Sequence, residues 1–457
     1  MGGAALSVTF LAMGRSSIRI GSGAGFSGDR IDPAVALAES GKLDYLVFEC
    51  LAERTIALAV QSRRDNPNGG YDPLLEERLS AILPAIVANK IKIISNMGAA
   101  NPVAAACAAA AIVRKMGLGP LKIAAITGDD VLSQISSDSP LLEGGTVAQW
   151  PGELIAANAY LGGEPLTQAL AQGADIIITG RIADPSLFLA PMVHALGWSW
   201  SDWPLLGQGT VIGHLLECAG QVSGGYFADP GAKDVAGLAD LGFPFADVAA
   251  DGRAVISKLS DSGGCITTAT CKEQLLYELH DPARYLTPDV TADFRGVSLD
   301  ECGRDTIAIT GGTGTQRPDQ LKVTLGYHEG YIGEGQISYG GPGCVARGKL
   351  ALAIVEERLK RQALELVDLR LDLIGINSIA PSAIAPEGQN EVRARVVART
   401  RTPQAAARIG REVEALYTNG PAGGGGVSHF VKPTIGVAST LLPRERVLTR
   451  ISWENVS

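Results

Sequence analysis

The 457-residue sequence carries 39 basic and 48 acidic side chains, a formal charge of −9, with 46% hydrophobic and 19% charged residues. A chain of this length exceeds what one hydrophobic core usually serves, so at least two lobes are expected. The acidic balance, with no basic run longer than a pair, argues against nucleic acid or an anionic membrane surface as partner.

The seven cysteines are dispersed without a CxxC pair, which points to reduced thiols in a cytoplasmic protein rather than a disulfide framework or zinc ribbon. The longest apolar run, 102–113, is too short to span a bilayer. Residues 1–16 read as a poorly ordered leader or an over-extended start.

In chain order, the first predicted strand is 17–20, and a glycine-dense loop follows it: Gly21, Ser22, Gly23, Gly25 and Gly28, then Asp29 and Arg30. Glycine leaves backbone N–H groups uncovered, so this loop is expected to bind an anionic group. Strand 43–48 precedes helix 51–64, and a helix over 73–89 opens at Asp72-Pro73. Strand 91–95 leads into helix 101–116, strand 121–126 into Gly128-Asp129-Asp130, and strand 174–179 into Gly180-Arg181 and helix 184–196. Five apolar strands, each followed by a helix, predict a mostly parallel doubly wound α/β sheet over 17–235. A (β/α) barrel is the other arrangement that this alternation allows.

Beyond about 205 the rhythm breaks, and 236–457 is expected to form a second α+β lobe that completes the site. Its strands are predicted near 252–258, 306–311, 321–327, 337–340, 369–378 and 391–398, with helices near 271–280, 344–362 and 403–417. The glycine-dense segment 419–429 is read as a packed loop lining a ligand or an interface.

In a parallel sheet, ligands gather at the carboxyl ends of the strands. Besides Gly21–Asp29 and Arg30, those ends offer Glu49, Cys50 and Glu53, then Asn96, then Thr127, Asp129 and Asp130, then Thr179, Arg181 and Asp184. Glu49 closes an apolar strand, where a carboxylate is costly unless paired or exposed in a site; Arg54 and Arg30 are candidate partners. Asp129, Asp130 and Asp184 read equally as helix caps. Arg181 is expected to reach over the cleft and clamp a carboxylate. His214 and Glu217 stand one helical turn apart, either structural or ligands of a metal-dependent hydrolase. His328 follows another strand. Gly341 and Gly343 open helix 344–362, whose first turns carry Arg347 and Lys349, as if an anion compensated them. With five dispersed histidines, no cofactor is indicated, although carboxylates leave a divalent metal open. The turn at 340–343 does not have the GxGxxG spacing, and no GxxxxGKS or GxxxxGKT phosphate loop is present.

The wording of several segments carries a resemblance. GSGAGFSGDR (21–30), DYLVFECLAERT (44–55), IISNMGAANP (93–102), ITGRIADPSLFLAP (178–191), LLYELHDPARYLTPDV (275–290) and GYHEGYIGEGQISYGGPG (326–343) resemble the acyclic terpene utilisation (AtuA) family over roughly 17–440. The resemblance implies a role in acyclic terpene catabolism, of the citronellol and geraniol type. Long members of that family continue into a ferredoxin-fold domain. The resemblance implies that such a domain is here a separate small subunit or is dispensed with.

Joined to the residues above, it predicts a cytoplasmic, homo-oligomeric enzyme acting on a small or branched carboxylic acid or its CoA thioester. The expected chemistry is acid/base: hydratase, isomerase or lyase. Glu49, with Asp29 or His328, would move protons; Gly21, Ser22, Gly23, Gly25, Asn96, Arg181, Gly341 and Gly343 would bind substrate. The competing expectation is a non-catalytic subunit that needs its small partner.

Overall fold

The strands of the first half are apolar on both sides, and their neighbours account for it. In the computed structural model, which describes residues 15–381 and 388–456, they are β1 (Ser17–Ala24), β2 (Tyr45–Phe48), β3 (Lys92–Ser95), β4 (Leu121–Thr127), β5 (Glu153–Ala159) and β6 (Ile176–Thr179). Five of them lie side by side and parallel in the order β1-β2-β3-β6-β4. Successive side chains point to opposite faces. Tyr45, Val47 and Ile177 therefore enter one core, and Leu46, Phe48, Ile176 and Ile178 enter the other. Of the leader, residues 1–14 lie outside the described residues.

Helices cover both faces. α1 (Asp32–Glu39), α2 (Glu53–Asp65), α3 (Leu75–Asn89) and α4 (Pro102–Lys115) come first in the chain, followed by α5 (Glu164–Ala171), α6 (Asp184–Leu196) and α7 (Trp203–Glu217). α1, α3 and α4 pack into the core that holds Phe48, and α5, α6 and α7 into the core that holds Val47. Proline stands in the first turn of α1, α4, α5, α6 and α7, where its missing N–H costs nothing.

The strands expected to be parallel over 17–235 are so, but among the described residues the sheet they belong to has ten strands and is mixed. β7 (Pro244–Ala249) runs antiparallel to β1, and β8 (Ala254–Lys258) antiparallel to β7. Strands Thr306–Thr310 and Ser298–Gly303 extend that edge, and Arg450–Val456 runs antiparallel to β4 at the other.

The chain divides into two compact units. The first takes the chain up to Val147, then Ala156–Leu325 and Ala438 onward; the second takes Ala148–Ile155 and Gly326–Val437. In the second, strand Gln320–Gly340 is followed by helix Cys344–Arg361, strands Leu366–Ile374 and Glu391–Thr400, helix Pro403–Glu414 and strand Gly424–Pro443. Numbering those four strands in chain order, their order in the sheet is 2-3-1-4. A βαββαβ chain in this order is the split-βαβ, ferredoxin-like arrangement. Val392, Ala394, Val396 and Ala398 face the two helices. Arg395 and Arg399, on the alternate positions, pair with Glu334 at 2.8 Å, Asp372 at 3.1 Å and Glu329 at 2.9 Å.

Three local expectations change. β1 does not stop at Ile20 but absorbs Gly21, Ser22 and Gly23. The strands expected at 321–327 and 337–340 are one, Gln320–Gly340. From Gly424 the expected loop 419–429 is strand. Among the described residues no helix is long and apolar enough to cross a membrane.

Candidate functional site

β2 delivers its last residues to the carboxyl edge of the sheet, where Glu49 N donates to Ala24 O at 3.1 Å. The Glu49 carboxylate accepts from Leu51 N at 2.8 Å and from Asn96 Nδ2 at 2.9 Å, both on Oε1. Asn96, just past β3, also accepts from Cys50 N at 2.7 Å. Burial pushes the Glu49 pKa up, against the pull of the Arg181 guanidinium and these two hydrogen bonds. Neither Arg54 nor Arg30 is its partner: Arg30 bonds Asp32 and the Leu241 carbonyl.

β6 delivers Arg181, which is 1% exposed. Its backbone N–H and Asn158 Nδ2 both donate to Asp129 Oδ2 at 2.9 Å. Asp129 is therefore a backbone anchor rather than a helix cap, and burial pushes its pKa up to about 6. The guanidinium donates from Nε to Ile182 O at 3.1 Å, and from its two terminal nitrogens to Leu51 O and Asp184. It also stacks 4.4 Å over the Tyr160 ring. Asp184 lies inside α6 and pairs with Arg181, with no side-chain cap at that helix start.

Arg181 is thus committed within the protein. The carboxylate-clamp role is corrected: its donors point to Asp184 and two carbonyls, and they hold a crowd of carboxyl groups together.

That crowd is electrostatically uneven. Burial acts on Glu53 as on the others, but the Tyr160 hydroxyl, Arg181 and Lys322 outweigh it and bring its pKa down to about 2. Burial drives Asp184 well above the ordinary carboxylate range, with Arg181 opposing and Glu49, Glu217 and Glu53 adding to the rise. Its side chain nevertheless keeps 36% of its surface accessible. Glu217, at the end of α7, is raised by burial against the pull of His214, whose Nδ1 lies 2.7 Å from its Oε1. Glu53 is therefore favoured as a carboxylate, while burial shifts Glu49, Asp184 and Glu217 toward their protonated forms.

The family model for acyclic terpene utilisation family protein AtuA matches residues 18–453. The chain belongs to this family. No curated protein and no solved structure matches it.

In this AtuA-family chain, three of the residues expected in the site converge: Glu49, Asn96 and Arg181. The glycines do not form an anion cradle. A Cβ on Gly21 would meet Leu43 at 2.8 Å, on Gly23 it would meet Phe48 at 2.6 Å, and on Gly25 it would meet the Cys218 backbone at 2.5 Å. Glycine is needed there for close approach of neighbours, not for exposed N–H groups. Ser22 Oγ, between them, is buried and unpartnered.

Asp29 closes its own loop, accepting from Gly25 N at 2.9 Å and Arg30 N at 2.8 Å. The fully buried Arg78 pins that loop by donating to the Ser27 and Asp29 carbonyls at 2.7 and 3.2 Å. Asp29, expected to carry protons, thus anchors its own loop.

His328, Gly341 and Gly343 belong to the second unit. The His328 ring lies 5.1 Å from that of Tyr331. Gly341 and Gly343 adopt φ of +75° and +76° at the start of helix Cys344–Arg361, and Gly341 N donates to Asn390 O at 2.7 Å. These positive φ values explain glycine by turn geometry.

Of the cluster, Tyr160 gave no signal in the sequence, and Asp184, Glu217 and Glu53 were visible there without a decided role. The role of Asp184 was hidden by its Asp-Pro helix start, and that of Glu217 by the frequency of His-x-x-Glu pairs. Glu53 sits beyond the end of β2, four residues from Glu49. Tyr160 follows β5, a strand that no run of Val or Ile announces.

Proposed function

We propose that the protein is an enzyme of acyclic terpene utilisation that moves protons on a branched carboxylic acid or its CoA thioester, by hydration, dehydration or isomerisation. The observation that carries this reading is Glu49. Its carboxyl stands at the carboxyl end of a parallel strand, fixed through Oε1 by Leu51 N and Asn96, which leaves Oε2 to exchange a proton. Burial raises its pKa above that of an ordinary glutamate, the direction that suits a proton donor.

Arg181 keeps the cluster assembled and prevents its carboxylates from repelling one another apart. With the guanidinium already engaged, the reacting part of the substrate is a neutral carbon skeleton carrying an alkene or hydroxyl. Its acid or thioester end is held elsewhere.

Incubating the protein in D2O with acyclic terpenoid acids and their CoA thioesters tests the reading. Deuterium should enter a carbon position of one of them, and Glu49→Gln should abolish the incorporation while keeping the ligand's thermal stabilisation. A bound ligand that takes up no deuterium, or exchange unchanged in Glu49→Gln, overturns it.

A further inference from the structure

His214 and Glu217 meet inside α7, where His214 Nδ1 lies 2.7 Å from Glu217 Oε1 and both residues are buried. The other ring nitrogen, Nε2, lies 3.3 Å from the Leu275 carbonyl oxygen. A carbonyl only accepts, so Nε2 must carry a proton to make that contact. Two protonation states then satisfy the bond at Nδ1. Either an imidazolium donates to a carboxylate, or a carboxylic acid donates to a bare Nδ1. In both, the pair is electrically neutral and holds one proton more than a neutral imidazole beside a carboxylate.

The surroundings favour keeping that proton. Glu217 Oε2 is buried without a hydrogen-bond partner, which is costly for an anion and cheaper for a neutral pair. The rings of Tyr285 and Phe294 pack 5.5 and 5.6 Å from the His214 ring and shield it from water. Gln274 Nε2 donates to His214 O at 3.0 Å and ties α8 (Thr268–Leu276) to this turn. Glu217 precedes Cys218, whose backbone a Cβ on Gly25 would meet at 2.5 Å, and Ala24 O beside it accepts from Glu49 N at 3.1 Å, so the end of α7 abuts the Glu49 turn. The charged and titratable groups that act on the pair are Glu278, Cys218, Tyr285, Arg181, Glu49 and Asp184. Arg181 is the only cation among them, so the field favours retention of the extra proton.

We infer that His214 and Glu217 form a proton-storing pair for the Glu49–Arg181 cluster, with Glu217 exchanging the stored proton and His214 positioning and recharging it. The inference rests on the acid/base reading of that cluster. Only a proton moves: Glu49 gives its proton to the substrate, and the pair returns one to the Glu49 carboxylate. The pair, then one proton short, recovers it from the departing substrate proton or from water.

The test needs no substrate, so its failure is separable from failure of the proposed activity. The chain has five histidines, and nitrogen NMR of histidine-labelled protein resolves them, with His214 assigned by its loss in His214→Gln. The expected result is an Nε2 that stays protonated from pH 5.5 to 8.5 and a strongly deshielded Nδ1 proton that disappears in Glu217→Gln. Glu49→Gln removes the negative charge that Glu49 carries once it has given up its proton, so at pH values where Glu49 is ionised the pair should release its proton more readily in this variant, whereas Glu39→Gln should leave it unchanged. A His214 that titrates as an ordinary imidazole in the wild-type protein overturns the stored proton. A profile unmoved by Glu49→Gln overturns its link to the site. The first readout uses the wild-type chain, so misfolding of a variant does not remove the test.

Discussion

Asn96 and Glu49 join the ends of two neighbouring parallel strands: the Asn96 amide donates to Glu49 Oε1 at 2.9 Å while its oxygen accepts from Cys50 N at 2.7 Å. Each half of the amide satisfies a buried group, so neither can be lost without leaving one unpaired. Asn96→Ala is expected to lower stability by about 1–3 kcal/mol in urea denaturation. It should also raise the Glu49 pKa further, because a donor that favours the ionised form is gone. A variant as stable as the parent would show that the two strand ends are held by other means.

Asp129 predicts a pH dependence of stability. Its folded pKa of about 6 lies above its ordinary value of 3.8, so between those limits the folded state binds more protons than the unfolded one. Stability from this group is therefore full below about pH 4 and lost as pH rises through 6. The loss at neutrality is on the order of 2–3 kcal/mol. Asn keeps an oxygen for both the Arg181 N–H and Asn158. The stability difference between Asp129→Asn and the parent should therefore move in the variant's favour between pH 4 and 6, and stay level above. A difference independent of pH would mean that Asp129 titrates as an exposed carboxylate.

Gly25 and Gly343 separate two reasons for glycine. At Gly25 a Cβ would stand 2.5 Å from the Cys218 carbonyl carbon, which is backbone and cannot swing aside. At Gly343 the space is open, but φ is +76°. Gly25→Ala should cost about 1–3 kcal/mol and disturb the Glu217-Cys218 turn, seen as a change in the His214 ring resonances. Gly343→Ala should cost about 1 kcal/mol and leave them untouched. Equal effects on those resonances would contradict the close approach at Gly25.

Much of the first unit could be read from the chain. Helices α4 and α6 are announced by Asn101-Pro102 and Asp184-Pro185, and β2, β3 and β6 by runs of β-branched and aromatic residues buried on both faces. Because residues that follow adjacent parallel strands must stand together at one edge, Glu49, Asn96 and Arg181 were legible as neighbours before any coordinates. That inference needs only a shared strand direction, which the alternation of strands and helices implies, while the order of the strands is seen only in the fold.

What each residue does there was not legible, because hydrogen-bond partners come from distant parts of the chain. Arg181 reads as a free cation in sequence, and only folding brings Leu51 O, Asp184 and the Tyr160 ring around it. The glycines of 21–25 read as a loop, since glycine has no side chain to show the two-residue period of a strand; the packed side chains of Leu43 and Phe48 decide otherwise. Glu217 entered the cluster only when α7 docked against β1. Which polar residues end the parallel strands, and that the chain is acidic with an apolar core, follow from local pattern and composition. Which carboxyl groups are pushed toward their protonated form does not, because burial and the placement of one guanidinium among several acids are properties of the packed whole.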